Sequence, residues 1–188
     1  MFLAFGLVCA ILEARTSGRG QVVDAAMVDG AAYLNGLMQA LVSQGVWRDE
    51  RGVNLLDGGA PWYDTYRTKD DAYVAVGAIE ARFYAELLAG LGLDPARLPH
   101  QHDRAGWPAL RQHFTAAFAS RTRVEWEQQF SGSDACVTPV LSIGEAPGHP
   151  HNRARANFLE RDGVLQPAPA PRYSRTVPQA GSAPGRVG

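Results

Sequence analysis

The stretch Phe2 to Leu12 (FLAFGLVCAIL) is apolar from end to end, and it constrains the fold more than any other segment. A membrane-spanning helix needs about 20 such residues, and this run is roughly half of that before Glu13 and Arg15 close it. It also lacks the basic leading region and the small-residue cleavage site of a secretory signal. A buried helix is the reading that remains. Because that helix opens at Met1 in apolar sequence, with no capping residue before it, it predicts a protein whose preceding part is missing from this chain.

At 188 residues the chain has the length of one domain or slightly more. About 70% of the unfolded surface can be buried at that size. Hydrophobic residues make up 46% and charged residues 20%, with 18 basic against 19 acidic side chains. That balance excludes a disordered chain and argues against nucleic-acid binding through a basic surface. Lys69 is the only lysine, so a polybasic membrane tether is absent as well. Cys9 and Cys136 are too few for a disulfide framework or a cysteine-rich zinc module, and they read as free buried thiols in a reducing cytoplasm.

Thr16 to Gly20 (TSGRG) has turn chemistry. Gln21 to Ser43 then repeats Val23, Met27, Leu34, Leu37, Met38 and Leu41 at helical spacing, which predicts a second long helix. Gly30 inside it reads as a point of close helix packing. Asn54 to Pro61 (NLLDGGAP) favours a tight turn or linker, and Trp62 to Val76 alternates around Lys69, Asp70 and Asp71, which predicts a hairpin. Glu80 to Leu91 carries Phe83, Leu87, Leu88 and Leu91 on one helical face. After a proline-interrupted loop from Asp94 to Asp103, helices are expected at Trp107 to Ala119, with Pro108 where a helix start tolerates it, and at Arg123 to Phe130. Cys136 to Leu141 reads as a short strand, and Phe158 to Leu165 as a second hairpin turning at Asp162 and Gly163. Beyond Gln166 the composition turns to Pro, Ala, Ser and Gly, and about the last dozen residues are expected to be disordered. The order is two helices, a compact α+β unit and a tail, without an internal repeat or a glycine-rich phosphate loop.

Few residues point to chemistry by themselves. His100 with His102, and His149 with His151, form two H-x-H pairs, but no third ligand at metal spacing accompanies either, so both read as surface loops and no metal site is expected. No G-x-S-x-G elbow exists, and Ser131, Ser133 and Asp134 read as the turn between a helix and a strand. Glu80 follows the run Val74 to Ile79, where a strand hands over to a helix. A carboxylate there is favoured by the helix dipole whatever else it does.

Longer stretches carry a specific resemblance. GQVVDAAMVDG at Gly20 to Gly30, LLDGGAPWYDTY at Leu55 to Tyr66, YVAVGAIEARFY at Tyr73 to Tyr84, SDACVTPVL at Ser133 to Leu141 and QPAPAPRYSRT at Gln166 to Thr176 resemble, in register, the alpha-methylacyl-CoA racemase branch of the type III CoA-transferase family. The resemblance runs over nearly the whole chain but only over the C-terminal half of the family's usual subunit. It implies an α+β fold, the C-terminal part of a type III CoA-transferase fold. Residues 1–54 would be the helical end of a large Rossmann-like domain and its linker, 55–151 the small α+β domain, and 152–188 the returning linker and a Pro/Gly-rich tail. Family subunits interlock as homodimers, and the cytoplasm and the breakdown of branched fatty acyl chains are the expected setting.

The resemblance implies a reaction too. The racemase branch inverts carbon 2 of a 2-methylacyl-CoA, so an acid/base group stands on each face of the thioester; coenzyme A is part of the substrate and no other cofactor is required. Those two groups, a histidine and an aspartate, belong to the N-terminal half, as do most contacts to CoA, so the chain alone is expected to be inactive. Glu80 matches the glutamate that a partner subunit's small domain offers to the catalytic histidine, and Leu56, Tyr63 and Ile79 match positions that line the acyl pocket. Two alternatives stay open. One is a CoA-transferase, which needs a nucleophilic aspartate, with Asp57 and Asp64 as available carboxylates, although the AIE motif at Ala78 to Glu80 favours the racemase. The other is a truncated, non-catalytic interaction module.

Overall fold

The structure is a computed structural model that describes residues 1–181. The chain divides after Tyr63 into two compact units. Among the described residues no helix is long and apolar enough to cross a membrane.

The first unit is helical. Helix α1 (Phe2–Ser17) ends at Gly18, whose φ of 75° lets its N–H donate back to Ala14 O at 2.9 Å. The apolar run is therefore a helix, as expected, but none of its residues is buried. Its apolar side chains point to every side, so no single face could bury them all. The predicted long second helix is also corrected. Residues 21–26 are extended, and two short helices follow, α2 (Met27–Leu34) and α3 (Gly36–Ser43), which meet at Asn35. The β-branched pair Val22 and Val23 and the Asn35-Gly36 step are poor helix formers, and they outweigh the apolar spacing. Gly30 does mark close packing: a Cβ there would lie 3.1 Å from the Phe2 ring, which meets Tyr33 edge-on at 5.8 Å.

The second unit holds most of the core. Strands β1 (Tyr63–Arg67), β2 (Tyr73–Gly77) and β3 (Val137–Val140) form one sheet in that order, with β2 and β3 antiparallel in the register Val74 to Pro139 and Val76 to Val137. The first two strands are the hairpin that the sequence predicts. Its charged tip is tied down: Thr68 N–H donates to Ala72 O, Asp70 Oδ1 accepts from Thr68 Oγ1 and from Arg123 N–H, and Lys69 N–H donates to Arg121 O. On the sheet and on each other pack α4 (Ala81–Leu91), α5 (Trp107–Phe118) and α6 (Arg123–Phe130). Tyr66 stacks on Phe118 at 5.0 Å, Phe118 meets Trp126 edge-on at 5.3 Å, and Trp126 stacks on Phe130. The Trp126 indole N–H is satisfied by Phe118 O. On α4 the buried face is Tyr84, Leu87, Leu88 and Leu91, so Tyr84 takes the place predicted for Phe83, which is half-buried under the Arg82 guanidinium. A Cβ on Gly90 would lie 2.2 Å from the Phe130 ring, and only glycine fits that crossing.

Helix α6 starts with a capping box: Glu125 Oε2 accepts from Thr122 N–H at 2.7 Å while Thr122 Oγ1 accepts from Glu125 N–H. Ser131 to Asp134 form the expected helix-to-strand turn, but β3 begins one residue later than predicted, because Cys136 adopts φ 54°. Both cysteines are exposed, contrary to expectation: Cys9 lies on a helix with no buried face, and Cys136 lies in that turn. Beyond α7 (Pro150–Ala154), strands β4 (Phe158–Arg161) and β5 (Val164–Pro167) pair as a hairpin turning at Asp162 and Gly163, both at positive φ. The expected disorder at the chain end concerns residues of which 182–188 lie outside the described residues.

Candidate active site

Glu80 stands where the sequence reading puts it, between the end of β2 and the first turn of α4. It is the N-cap residue (φ −73°, ψ 144°), yet its carboxylate makes no capping hydrogen bond and is exposed. A capping role therefore leaves the side chain unexplained, and the carboxylate can accept a hydrogen bond from a group outside α4. The backbone before it is tightly held. Gly77 N–H donates to Cys136 O at 2.9 Å, Ala78 is fully buried, and Ile79 N–H donates to Gly77 O. The carbonyls of Ala78 and Ile79 both accept from Gln101 Nε2, at 3.3 and 2.9 Å. Ile79 itself is half-buried beside the exposed carboxylate.

A cluster of charge surrounds this junction. Arg82 pairs with Asp134 at 2.9 Å, Asp134 N–H donates to Glu86 Oε2, and Cys136 lies among them. Partial burial, and then the carboxylates of Glu80, Asp134 and Glu86, push the Cys136 thiol above its ordinary range, against a smaller opposing effect of Arg82. Cys136 is a protonated thiol at neutral pH.

Leu56 and Tyr63 belong to the first unit, whereas Ile79 and Glu80 belong to the second. Leu56 is half-buried in a loop that Asp57 staples. One oxygen of Asp57 accepts from the amides of Asn54 and Gly59, and the other accepts from Gly52 N–H and the Asn54 side chain. Asn54, wholly buried, returns bonds to both the N–H and the C=O of Arg48. Burial alone would raise the Asp57 carboxyl, but the hydrogen bonds from Asn54, Gly59 and Gly52 outweigh it and hold it below the usual carboxylate range. Tyr63 is exposed at the start of β1. The next residue, Asp64, pairs with Arg111 and accepts from Thr65 N–H. Neither Asp57 nor Asp64 is the uncommitted carboxylate that a nucleophile requires.

The histidine pairs have local partners. His100 Nδ1 accepts from His102 N–H and His149 Nδ1 from His151 N–H, while His149 Nε2 reaches Glu127 at 2.8 Å. Among the described residues no group of three His, Cys, Asp or Glu side chains is placed to hold a metal. Gln101 is the residue that sequence reasoning missed. A single polar residue in a loop of prolines and histidines carries no pattern, and only its burial at 5% exposure reveals it.

In fold, the chain is similar to the solved structure of Rv3272 from Mycobacterium tuberculosis, with a TM-score of 0.69 over 93% of this chain and 46% of that one, at 19% identity. The mixed α+β architecture thus corresponds to part of a type III CoA-transferase fold. The model of CoA-transferase family III matches residues 1–187, and the chain belongs to that family. It is 49% identical over 183 residues to the alpha-methylacyl-CoA racemase of Mus musculus, covering 96% of this chain and 48% of the relative. It is 45% identical to the alpha-methylacyl-CoA racemase of Homo sapiens over 91% of this chain and 45% of that relative, and 25% identical to an acetyl-CoA:oxalate CoA-transferase of Acetobacter aceti over 89% and 44%. The chain spans about half the length of the curated relatives it matches.

Proposed function

We propose that this chain forms the glutamate-bearing part of an acyl-CoA racemase that inverts carbon 2 of a 2-methylacyl-CoA. The observation that carries the reading is the 49% identity to an alpha-methylacyl-CoA racemase, joined to an exposed Glu80 at the hand-over from β2 to α4. A base removes the carbon-2 proton on one face, the electron pair moves into the thioester carbonyl, and an acid returns a proton on the other face. In the resembled family the histidine and aspartate that do this belong to the half this chain does not match. Glu80 then acts on the imidazole, accepting its N–H, fixing the ring and raising its basicity. By the family resemblance Leu56, Tyr63 and Ile79 are each assigned to the acyl chain and 55–151 to a small domain, with the subunits interlocking as a homodimer in the cytoplasm and serving breakdown of branched acyl chains.

The transferase alternative shares the family but asks for a nucleophilic aspartate. The hydrogen bonds on Asp57 and the Arg111 pair on Asp64 count against both of the candidates in this chain. The test is deuterium incorporation at carbon 2 in heavy water. The chain alone should exchange nothing, because one orienting carboxylate cannot invert a centre. Joined by fusion or in trans to the half that carries the histidine and aspartate, it should racemise, and Glu80→Gln should lower turnover by roughly 10² to 10⁴ with binding nearly unchanged. Stereospecific turnover by the chain alone, or an unchanged rate in Glu80→Gln, overturns the reading.

A further inference from the structure

The chain leaves β2 at Gly77 and enters α4 at Ala81, and the two carbonyls in between, of Ala78 and Ile79, belong to neither the strand ladder nor the helix. Backbone acceptors of that kind, the first buried and the second partly so, need a partner. Both find it in one group, the side-chain amide nitrogen of Gln101, more than twenty residues further along the chain. Gln101 is itself held. It is 5% exposed, its own carbonyl accepts the Trp107 indole N–H at 3.0 Å, and the loop that carries it is tied at both ends by Asp94, which accepts from Ala96 N–H, and Asp103, which accepts from Ala105 N–H. A Cβ on Gly106 would lie 2.3 Å from Pro99, so the loop is packed as well as bonded.

We propose that Gln101 is the positioning residue for Glu80, its amide clamping the two peptide planes that lead into the carboxylate. This inference rests on the reading of Glu80 given above. The carbonyl of Ile79 and the amide nitrogen of Glu80 belong to one planar peptide, so fixing that carbonyl fixes the bond about which the Glu80 backbone turns. On the other side, Glu80 O accepts from Tyr84 N–H at 2.9 Å. Both peptides that flank the Glu80 Cα are thus anchored, and only its side-chain torsions remain free. Packing alone does not ask for glutamine there, because a buried amide is unfavourable unless its hydrogen bonds are made.

The test uses the whole chain and two variants. Gln101→Met keeps the length of the side chain and removes the donor. Gln101→Glu donates one hydrogen bond as the neutral acid and none when ionised. In Gln101→Met the backbone amide resonances of Ile79 and Glu80 and the Glu80 carboxyl resonance should shift while those of the Trp126 indole stay in place. In the restored enzyme kcat should fall on the order of ten- to a hundredfold with KM nearly unchanged, the pattern of a misplaced group rather than lost binding. If Gln101→Met does not fold, the Ile79 and Glu80 signals of Gln101→Glu should titrate together with the introduced carboxyl. Unmoved signals for residues 79–81 in the folded variants, or an unchanged kcat, overturn the inference and leave the role of Glu80 intact. Moved signals with an unchanged exchange rate in Glu80→Gln instead overturn the reading of Glu80, and the positioning role falls with it.

Discussion

Helices α1 to α3 and helices α4 to α6 are made from similar apolar material, and they use it in opposite ways. No side chain of the first set is buried, whereas the second set buries ten, from Tyr84 to Phe130. The difference lies in arrangement. On α4 the apolar residues recur at Tyr84, Leu87, Leu88 and Leu91, and on α5 at Trp107, Leu110, Phe114 and Phe118, which gives each helix one face to set against the sheet. On α1 the apolar residues follow one another without interruption, so every side of the helix asks for cover. Apolar content favours burial only where the same unit holds a complementary face.

The sharpest way to break this contrast is to remove one large side chain from each region. Trp126→Ala takes out a 2% exposed indole and leaves Phe118 O without its donor, and it should cost about 3 to 5 kcal/mol in chemical denaturation. Phe5→Ala on α1, where Phe5 is 73% exposed, should change stability by less than about 0.5 kcal/mol. Comparable losses at the two sites would mean that α1 is as tightly packed as the core.

A second test asks what the uncovered helix does in solution. Leu7, Ile11 and Leu12 are each about half exposed or more along α1, and a contiguous apolar surface promotes association. Size-exclusion chromatography at rising concentration should show oligomers or loss of material, and Phe5→Glu with Leu12→Glu should weaken the association by roughly tenfold or more, since each buried apolar side chain is worth about 1.5 kcal/mol or more. A monomer at high concentration would show that the exposed surface is inert.

How much of this could be read beforehand follows the same divide. The hairpin around Lys69 to Asp71, the helices at Trp107 and Arg123 and the turn at Asp162-Gly163 were legible because alternation, a single apolar stripe and turn residues each carry a local period or preference. The break at Asn35 was not, because apolar spacing continues through it and only the weak propensities of Asn35 and Gly36 mark it. The place of Glu80 between β2 and α4 was legible from the strand-to-helix pattern around it. Gln101 was not, because its meaning comes from a contact with residues far away in sequence, and no local pattern encodes that.

A third, smaller effect concerns the loop that staples Leu56. Asp57 is acidic in excess of its ordinary value because its hydrogen bonds overcome its burial, so folding favours the ionised form. The stabilisation is complete above the ordinary carboxyl value of 3.8 and is lost as pH falls through the lower folded value. Glu145 behaves alike: the Arg123 guanidinium, then the Ser142 amide and hydroxyl, hold it at about 2. Asp57→Asn should therefore cost about 1 to 3 kcal/mol at pH 7. Its penalty relative to the parent should shrink below pH 4, and a penalty constant down to pH 2 would mean that the ionised carboxylate is not what holds the loop.

The smallest expected effect reads the candidate site directly, in the chain as it stands. Burial contributes most to the raised Cys136 value, and the Glu80 carboxylate comes next. Thiolate is the species that alkylates, so a raised value means a slow reaction at neutral pH. Removing the Glu80 charge with Glu80→Gln lowers the thiol value, increases the thiolate fraction and should speed alkylation of Cys136 roughly twofold, measured in a Cys9→Ser background near pH 8. The part due to Glu80 acts between exposed groups and should fade as salt rises, because the screening length shortens to about 3 Å at 1 M, whereas the part due to burial should not. Equal rates in parent and Glu80→Gln at low salt would place the carboxylate away from the junction that Gln101 and Cys136 hold, and would remove the geometric basis for offering it to an imidazole.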